Sequence, residues 1–276
     1  MPPNIVDVPV TSQENEDLAP KPSTTEPTQS RPEQNSSLET GQPRREIPPP
    51  DRSDNEYKLK TFLSSINLLA HILIGAVTGI VMLYAFRNGV PLEATPLHIV
   101  LCVIGYQLLM AEAILSLSTD NGWSSHLRLV DKRRAHFILQ ILGSGLAIAG
   151  SFIKILDNEQ HWNTLHGKFA LVALVFTSVS LVNGITSLWA YELRRFLPGN
   201  ISKLTHICFG TVAFVTACIA LCYGLEKPGF RIWINDAIAY TAISFTACFT
   251  FIVILAPLAS FYLKSKILIS HYRYFY

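Results

Sequence analysis

Charge is scarce in this chain: Asp, Glu, Lys and Arg make up 15% of its 276 residues, whereas a soluble chain would carry about a quarter. The formal net charge is +2, and no basic stripe is interleaved with aromatics, which argues against a nucleic-acid partner. The five cysteines (Cys102, Cys208, Cys218, Cys222, Cys248) lie inside apolar stretches without CxxC or zinc-type spacing, so they read as small buried hydrophobes. No glycine-rich loop follows a strand-like run, so no bound NAD or flavin is expected. Nor does the start have the basic residues and apolar stretch of a signal peptide, which leaves targeting to the first apolar segment.

Apolar residues make up 49% of the chain and are unevenly spread. Residues 1–58 are rich in Pro, Ser, Thr, Asn and Glu and show no apolar periodicity. Such a segment buries too little surface to offset its ordering entropy, so a disordered tail is expected. Beyond it, six stretches at roughly 62–86, 96–118, 136–155, 166–190, 204–224 and 238–263 meet the requirement of about 20 apolar residues for a spanning helix. Asn88-Gly89, Asp120-Asn121-Gly122, Asp157-Asn158, Pro198-Gly199-Asn200 and Lys227-Pro228-Gly229 separate them. The expectation is an all-α membrane protein with six transmembrane helices, residues 59–265 forming one domain and 266–276 a short C-terminal tail.

Basic residues orient the bundle. Arg52, Lys58 and Lys60, then Arg128, Lys132, Arg133 and Arg134, then Arg194, Arg195 and Lys203, then Lys264, Lys266 and Arg273 fall on one side. The other side has only Arg87, Lys154, Lys168, Lys227 and Arg231. The positive-inside rule puts both termini in the cytosol. The sequons at Asn35 and Asn200 are then cytosolic and unmodified.

Four of the eight histidines, His98, His136, His166 and His206, stand at the first turns of four consecutive apolar segments. In an antiparallel bundle this puts His98 and His166 in an outer layer and His136 and His206 in an inner one. Polar residues inside membranes are costly and usually functional. Two imidazoles facing each other at one depth can hold a six-coordinate haem iron suited to electron transfer. Seven positions after each histidine stand Gly105, Gly143, Ala173 and Ala213, and fourteen after stand Glu112, Gly150, Ser180 and Ala220. These small residues either make room for a porphyrin or pack helix on helix. A zinc or copper transporter would gather its ligands with acidic or sulfur partners at one depth, which this pattern does not do.

The segments TPLHIVLCVIGYQLLMAEAILSL (95–117), KRRAHFILQILG (132–143), TLHGKFALVAL (164–174) and KLTHICFGTVAF (203–214) resemble cytochrome b561, most of all its small domain-containing branch. The resemblance covers about residues 60–265 and implies a four-helix di-haem core, helices two to five, flanked by helices one and six. It implies two haem b groups, one on His98 and His166 and one on His136 and His206, with no catalytic residue beyond these ligands. It also implies one-electron transfer from cytosolic ascorbate to monodehydroascorbate or a ferric chelate across the membrane. An endomembrane location (endoplasmic reticulum or vesicle) rather than the plasma membrane, and a homodimer as candidate assembly, go with it.

Ascorbate and haem propionates are anions, so cations near the ligands are candidate binding residues. Lys132, Arg133 and Arg134 precede His136 by a turn, and Lys203 precedes His206. His161 and Lys168 lie near His166 on the outer side. Glu112 is expected to snorkel to the headgroups, and His71 to hydrogen-bond a neighbouring helix. The competing class is a membrane scaffold, or a haem-binding partner subunit with little reductase activity of its own.

Overall fold

A computed structural model describes residues 53–188 and 199–275. The predicted tail over residues 1–52, with Asn35, lies outside the described residues, as do Arg194 and Arg195 of the fourth loop and the side chain of Asn200. Every regular element among the described residues is helical: α1 (Asp54–Ala85), α2 (Ala94–Leu115), α3 (Leu129–Asp157), α4 (Leu165–Leu188), α5 (Gly199–Leu225), the short α6 (Pro228–Ile234) and α7 (Asp236–Phe275). All but α6 are long and apolar enough to cross a bilayer. In lipid a helix satisfies its own backbone groups, so these β-branched runs become helices despite their strand propensity. The chain is a multi-pass integral membrane protein.

Helices begin earlier than the apolar runs that mark them. The first starts at Asp54, so residues 54–58, expected to belong to the tail, form its exposed opening turns. The third starts at Leu129, so Lys132, Arg133 and Arg134 lie on its first turns and not in a loop. At the other end, α7 continues through the predicted tail to Phe275. Its 40 residues extend about 60 Å, roughly twice the hydrocarbon thickness. Hydropathy marks where lipid ends, while a helix stops only where a breaker or cap stops it.

Two antiparallel hairpins, α2–α3 and α4–α5, form the core. On α1, Ala70, Leu73, Ile74, Val77 and Val81 repeat at helical spacing and are buried. They pack into the same cluster as Ala239, Ala242, Phe249 and Val253 of α7 and Val103, Tyr106 and Met110 of α2. Leu68, Ile72, Leu83, Leu142, Phe152 and Val182 remain exposed, as side chains facing acyl chains must. One irregularity interrupts the core: Val103–Met110 of α2 has π geometry, with hydrogen bonds reaching one residue further than in an α-helix.

Candidate functional site

The four histidines meet in two pairs. His98 faces His166 with ring centroids 6.2 Å apart and planes at 84°. His136 faces His206 at 6.2 Å and 88°. An imidazole–metal bond of about 2.0 Å, plus about 1.2 Å from nitrogen to ring centre, puts two imidazoles on opposite sides of one metal about 6.4 Å apart. Both separations match this bis-imidazole geometry.

Every one of these rings is also held from behind. His98 Nδ1–H donates to the carbonyl of Gly150 (2.9 Å) and His136 Nδ1–H to that of Ala113 (2.8 Å). His166 Nδ1–H donates to Ala220 (2.8 Å) and His206 Nδ1–H to Ser180 (3.1 Å). Such a bond fixes the tautomer with the Nε2 lone pair available, the usual arrangement behind a metal-bound histidine. Among the described residues no hydrogen bond involves any of the four Nε2 atoms. The donor set therefore fits a haem iron, which would be held from both sides by neutral imidazoles.

Three of the four acceptors, Gly150, Ser180 and Ala220, are the residues fourteen positions after a histidine. Each of these three helices thus carries, about 21 Å beyond its own histidine, a carbonyl that orients a ring in the opposite layer. In α2 the π turn consumes one extra residue, so Ala113 rather than Glu112 offers the carbonyl to His136. No sequence signal announced that shift.

The small residues seven positions on serve the helix pairs. A Cβ on Gly105 would meet the Gly143 carbonyl at 2.6 Å and the Ala147 nitrogen at 2.7 Å. Gly105 and Gly143 therefore bring the α2 and α3 backbones together, which is helix packing and not porphyrin clearance. Ala173 and Ala213 are buried at the matching positions of the second hairpin. Gly184 and Gly224 abut the rings themselves: their added Cβ atoms would lie 3.0 Å from His206 and 3.5 Å from His166. Between the layers, Thr177 on α4 donates to the Tyr106 hydroxyl on α2 (3.2 Å), joining the hairpins near mid-membrane.

The candidate cations separate. Lys132 is buried, 5% exposed, and its ammonium donates to the Ser118 carbonyl at 2.7 Å, which closes the end of α2. Arg134 pairs with Asp131 (3.3 Å), as does Arg128 (2.8 Å), whose guanidinium pKa is raised by that carboxylate. Arg133 instead shares electrostatic reach with Lys203 on α5 and Lys264 on α7, and Lys264 in turn acts on His206. On the outer side the cations acting on the paired imidazoles are Lys154 and Lys227. His161 instead sits exposed beside Trp162, with ring centroids 6.0 Å apart. Lys168 is exposed two residues past His166, on a different helix face. Sequence reasoning missed Lys154, Lys227 and Lys264, whose approach depends on how separate helices cross.

Glu112 does not snorkel. Its Oε1 accepts from His71 Nδ1 at 2.6 Å and its Oε2 from Trp123 Nε1 at 3.1 Å, while His71 Nε2 bonds Asn121 Oδ1 at 2.9 Å.

Residues 97–231 match the model for the eukaryotic cytochrome b561 family. Among curated proteins, the chain is 28% identical over 173 residues to Transmembrane reductase CYB561D2 of Homo sapiens, covering 61% of this chain and 77% of that protein. The proteins of the same name from Bos taurus and Mus musculus are 27% identical over the same length and coverage.

Proposed function

The chain belongs to the cytochrome b561 family, and from that premise of a haem b oxidoreductase carrying electrons through a membrane we propose a specific path. His136 and His206 would hold an inner haem that takes one electron from ascorbate at the cytosolic face. His98 and His166 would hold a second haem, through which the electron would reach monodehydroascorbate or a ferric chelate on the opposite side. The observation that carries this reading is the pair of imidazole couples, each at 6.2 Å and each with its Nδ1 atoms committed to backbone carbonyls. When bound, the haems supply the one-electron chemistry, and the protein supplies orientation and electrostatics.

The chain's residues account for the rest of the cycle. Arg133, Lys203 and Lys264 converge from three helices near the inner pair, where they attract the ascorbate monoanion or hold propionates. Lys154 and Lys227 do the same for an anionic acceptor or propionates at the outer pair. Two histidines from facing helices would hold each haem, which would leave no open metal site for oxygen. Both termini face the cytosol in this orientation, and an endomembrane location follows from the family resemblance.

A reduced-minus-oxidised visible spectrum of the purified full chain, with haem quantified per chain and ascorbate as reductant, tests the path. Two b-type haems reduced by ascorbate are expected. One haem breaks the two-layer scheme. A colourless protein from haem-replete cells leaves the scaffold, and two haems that ascorbate does not reduce leave the partner subunit.

A further inference from the structure

A second polar cluster lies in the membrane beside the inner pair, and the electron path above does not use it. His71 of α1 and Glu112 of α2 are 23% and 19% exposed by side chain and meet at 2.6 Å. Glu112 has both side-chain oxygens occupied by donors, His71 on one and Trp123 on the other. Both nitrogens of His71 face oxygens, Glu112 Oε1 and Asn121 Oδ1. With Asn121 Oδ1 toward Nε2 the ring donates from both sides as an imidazolium, and with the amide turned it accepts from Nδ2 as a neutral imidazole, so the site accommodates both forms. Removing the proton from Nε2 requires the Asn121 amide to turn and donate in its place. Asn121 Nδ2 and Ser124 Oγ, both fully buried in the loop after α2, have no hydrogen-bond partner among the described residues and extend the polar region from His71 into that loop.

The cluster is tied to the inner site through one residue. Glu112 precedes Ala113, whose carbonyl accepts from His136 Nδ1. The π turn in α2 produces both results, because the extra residue gives the carbonyl to Ala113 and turns Glu112 toward α1.

We propose that the His71–Glu112 pair takes up one proton for each electron that enters the inner centre. The proposal rests on the electron path above. In the oxidised protein the pair is neutral imidazole with carboxylate; on one-electron reduction it becomes imidazolium with carboxylate. The added proton balances the added electron. Ascorbate monoanion can supply both, because becoming the monodehydroascorbate radical anion releases one electron and one proton. The pair is thus the base that receives the proton, directly or through the loop. Other ionisable groups on the surrounding elements are engaged elsewhere or lie nearer the surface. Glu56 and Lys60 of α1 line a groove with Asp120, Lys132 of α3 is held by Ser118, and Lys264 of α7 faces Lys203 and Arg133.

The test is a redox titration of the full-length haem-loaded protein between about pH 5 and 8, following each centre separately. Proton uptake becomes harder as pH rises, so the inner midpoint potential should fall with pH, approaching one proton per electron within the pair's titration range. Glu112→Gln should flatten that slope and leave the outer midpoint unchanged. His71→Gln should flatten it as well and lower the inner midpoint, since the carboxylate then stays uncompensated. A purely structural link would reduce haem content or thermal stability without altering the slope. Should either variant fail to load, the wild-type reduced-minus-oxidised infrared spectrum decides. The axial rings keep Nδ1–H in both states, so an imidazolium band appearing on inner-centre reduction reports His71, and no such band overturns the proposal. Two haems with the same inner slope in wild type and Glu112→Gln would also overturn it while the electron path stands. Absence of haem in the wild type would remove both.

Discussion

The α2–α3 and α4–α5 hairpins perform the same task with different helix geometry. In the second hairpin both acceptors lie fourteen residues after a histidine, on regular α-helix. In the first, one does and the other lies fifteen after, displaced by the π turn. The packing differs too. Gly105 and Gly143 bring backbones into contact in the first hairpin, whereas Ala173 and Ala213 hold those positions in the second. The difference teaches that ring orientation is set by register, and that one hairpin spends an extra residue to send a carboxylate to α1.

The largest effects should come from breaking one pair in each layer. His136→Leu and His166→Leu are each expected to lower haem content from two per chain to one, read by haem quantification. Only His136→Leu should also abolish rapid reduction by ascorbate, because it removes the inner entry point. Next comes register. Inserting one alanine after Met110 should draw the Ala113 carbonyl away from His136 and cost the inner haem, while His98 and Gly150 lie outside the change. Inserting one alanine after Ala173 should likewise move Ser180 off His206. Retention of both haems in either variant, by spectrum, would show that the carbonyls are dispensable.

The packing contrast is smaller. Gly105→Ala forces a Cβ into backbone and should cost about 1–3 kcal/mol, whereas Ala173→Gly should cost about 1 kcal/mol. Thermal unfolding in detergent would read the difference. The smallest effects concern the cations on the first turns of α3. Arg133→Gln should raise the apparent KM for ascorbate several-fold and weaken its salt dependence. Lys132→Gln should leave KM unchanged and lower stability by about 1–3 kcal/mol, by loosening a buried hydrogen bond.

Much of this architecture was legible in the sequence because lipid leaves so few solutions. The six apolar runs could only be helices, and histidines at alternate ends of four of them had to form two layers. The pairing of His98 with His166 and of His136 with His206 follows from that alternation. The π turn was not legible, since VIGYQLLM carries no breaker or other mark that separates it from regular helix. Lys132, Arg133 and Arg134 are adjacent and similar in charge, yet they point to three environments, because successive residues on a helix are turned well apart. Glu112 and His71 are 41 positions apart, and only the crossing of α1 with α2 joins them.

The ring-to-carbonyl bonds also have a consequence for how the protein is made. All four close within a hairpin: His98 with Gly150 and His136 with Ala113 in one, His166 with Ala220 and His206 with Ser180 in the other. The imidazole couples, by contrast, join one hairpin to the other. Each hairpin thus orients the rings of its own two histidines once its two helices are inserted, and the first does so before the second has been synthesised. Biogenesis then reduces to the meeting of two hairpins whose rings are already oriented.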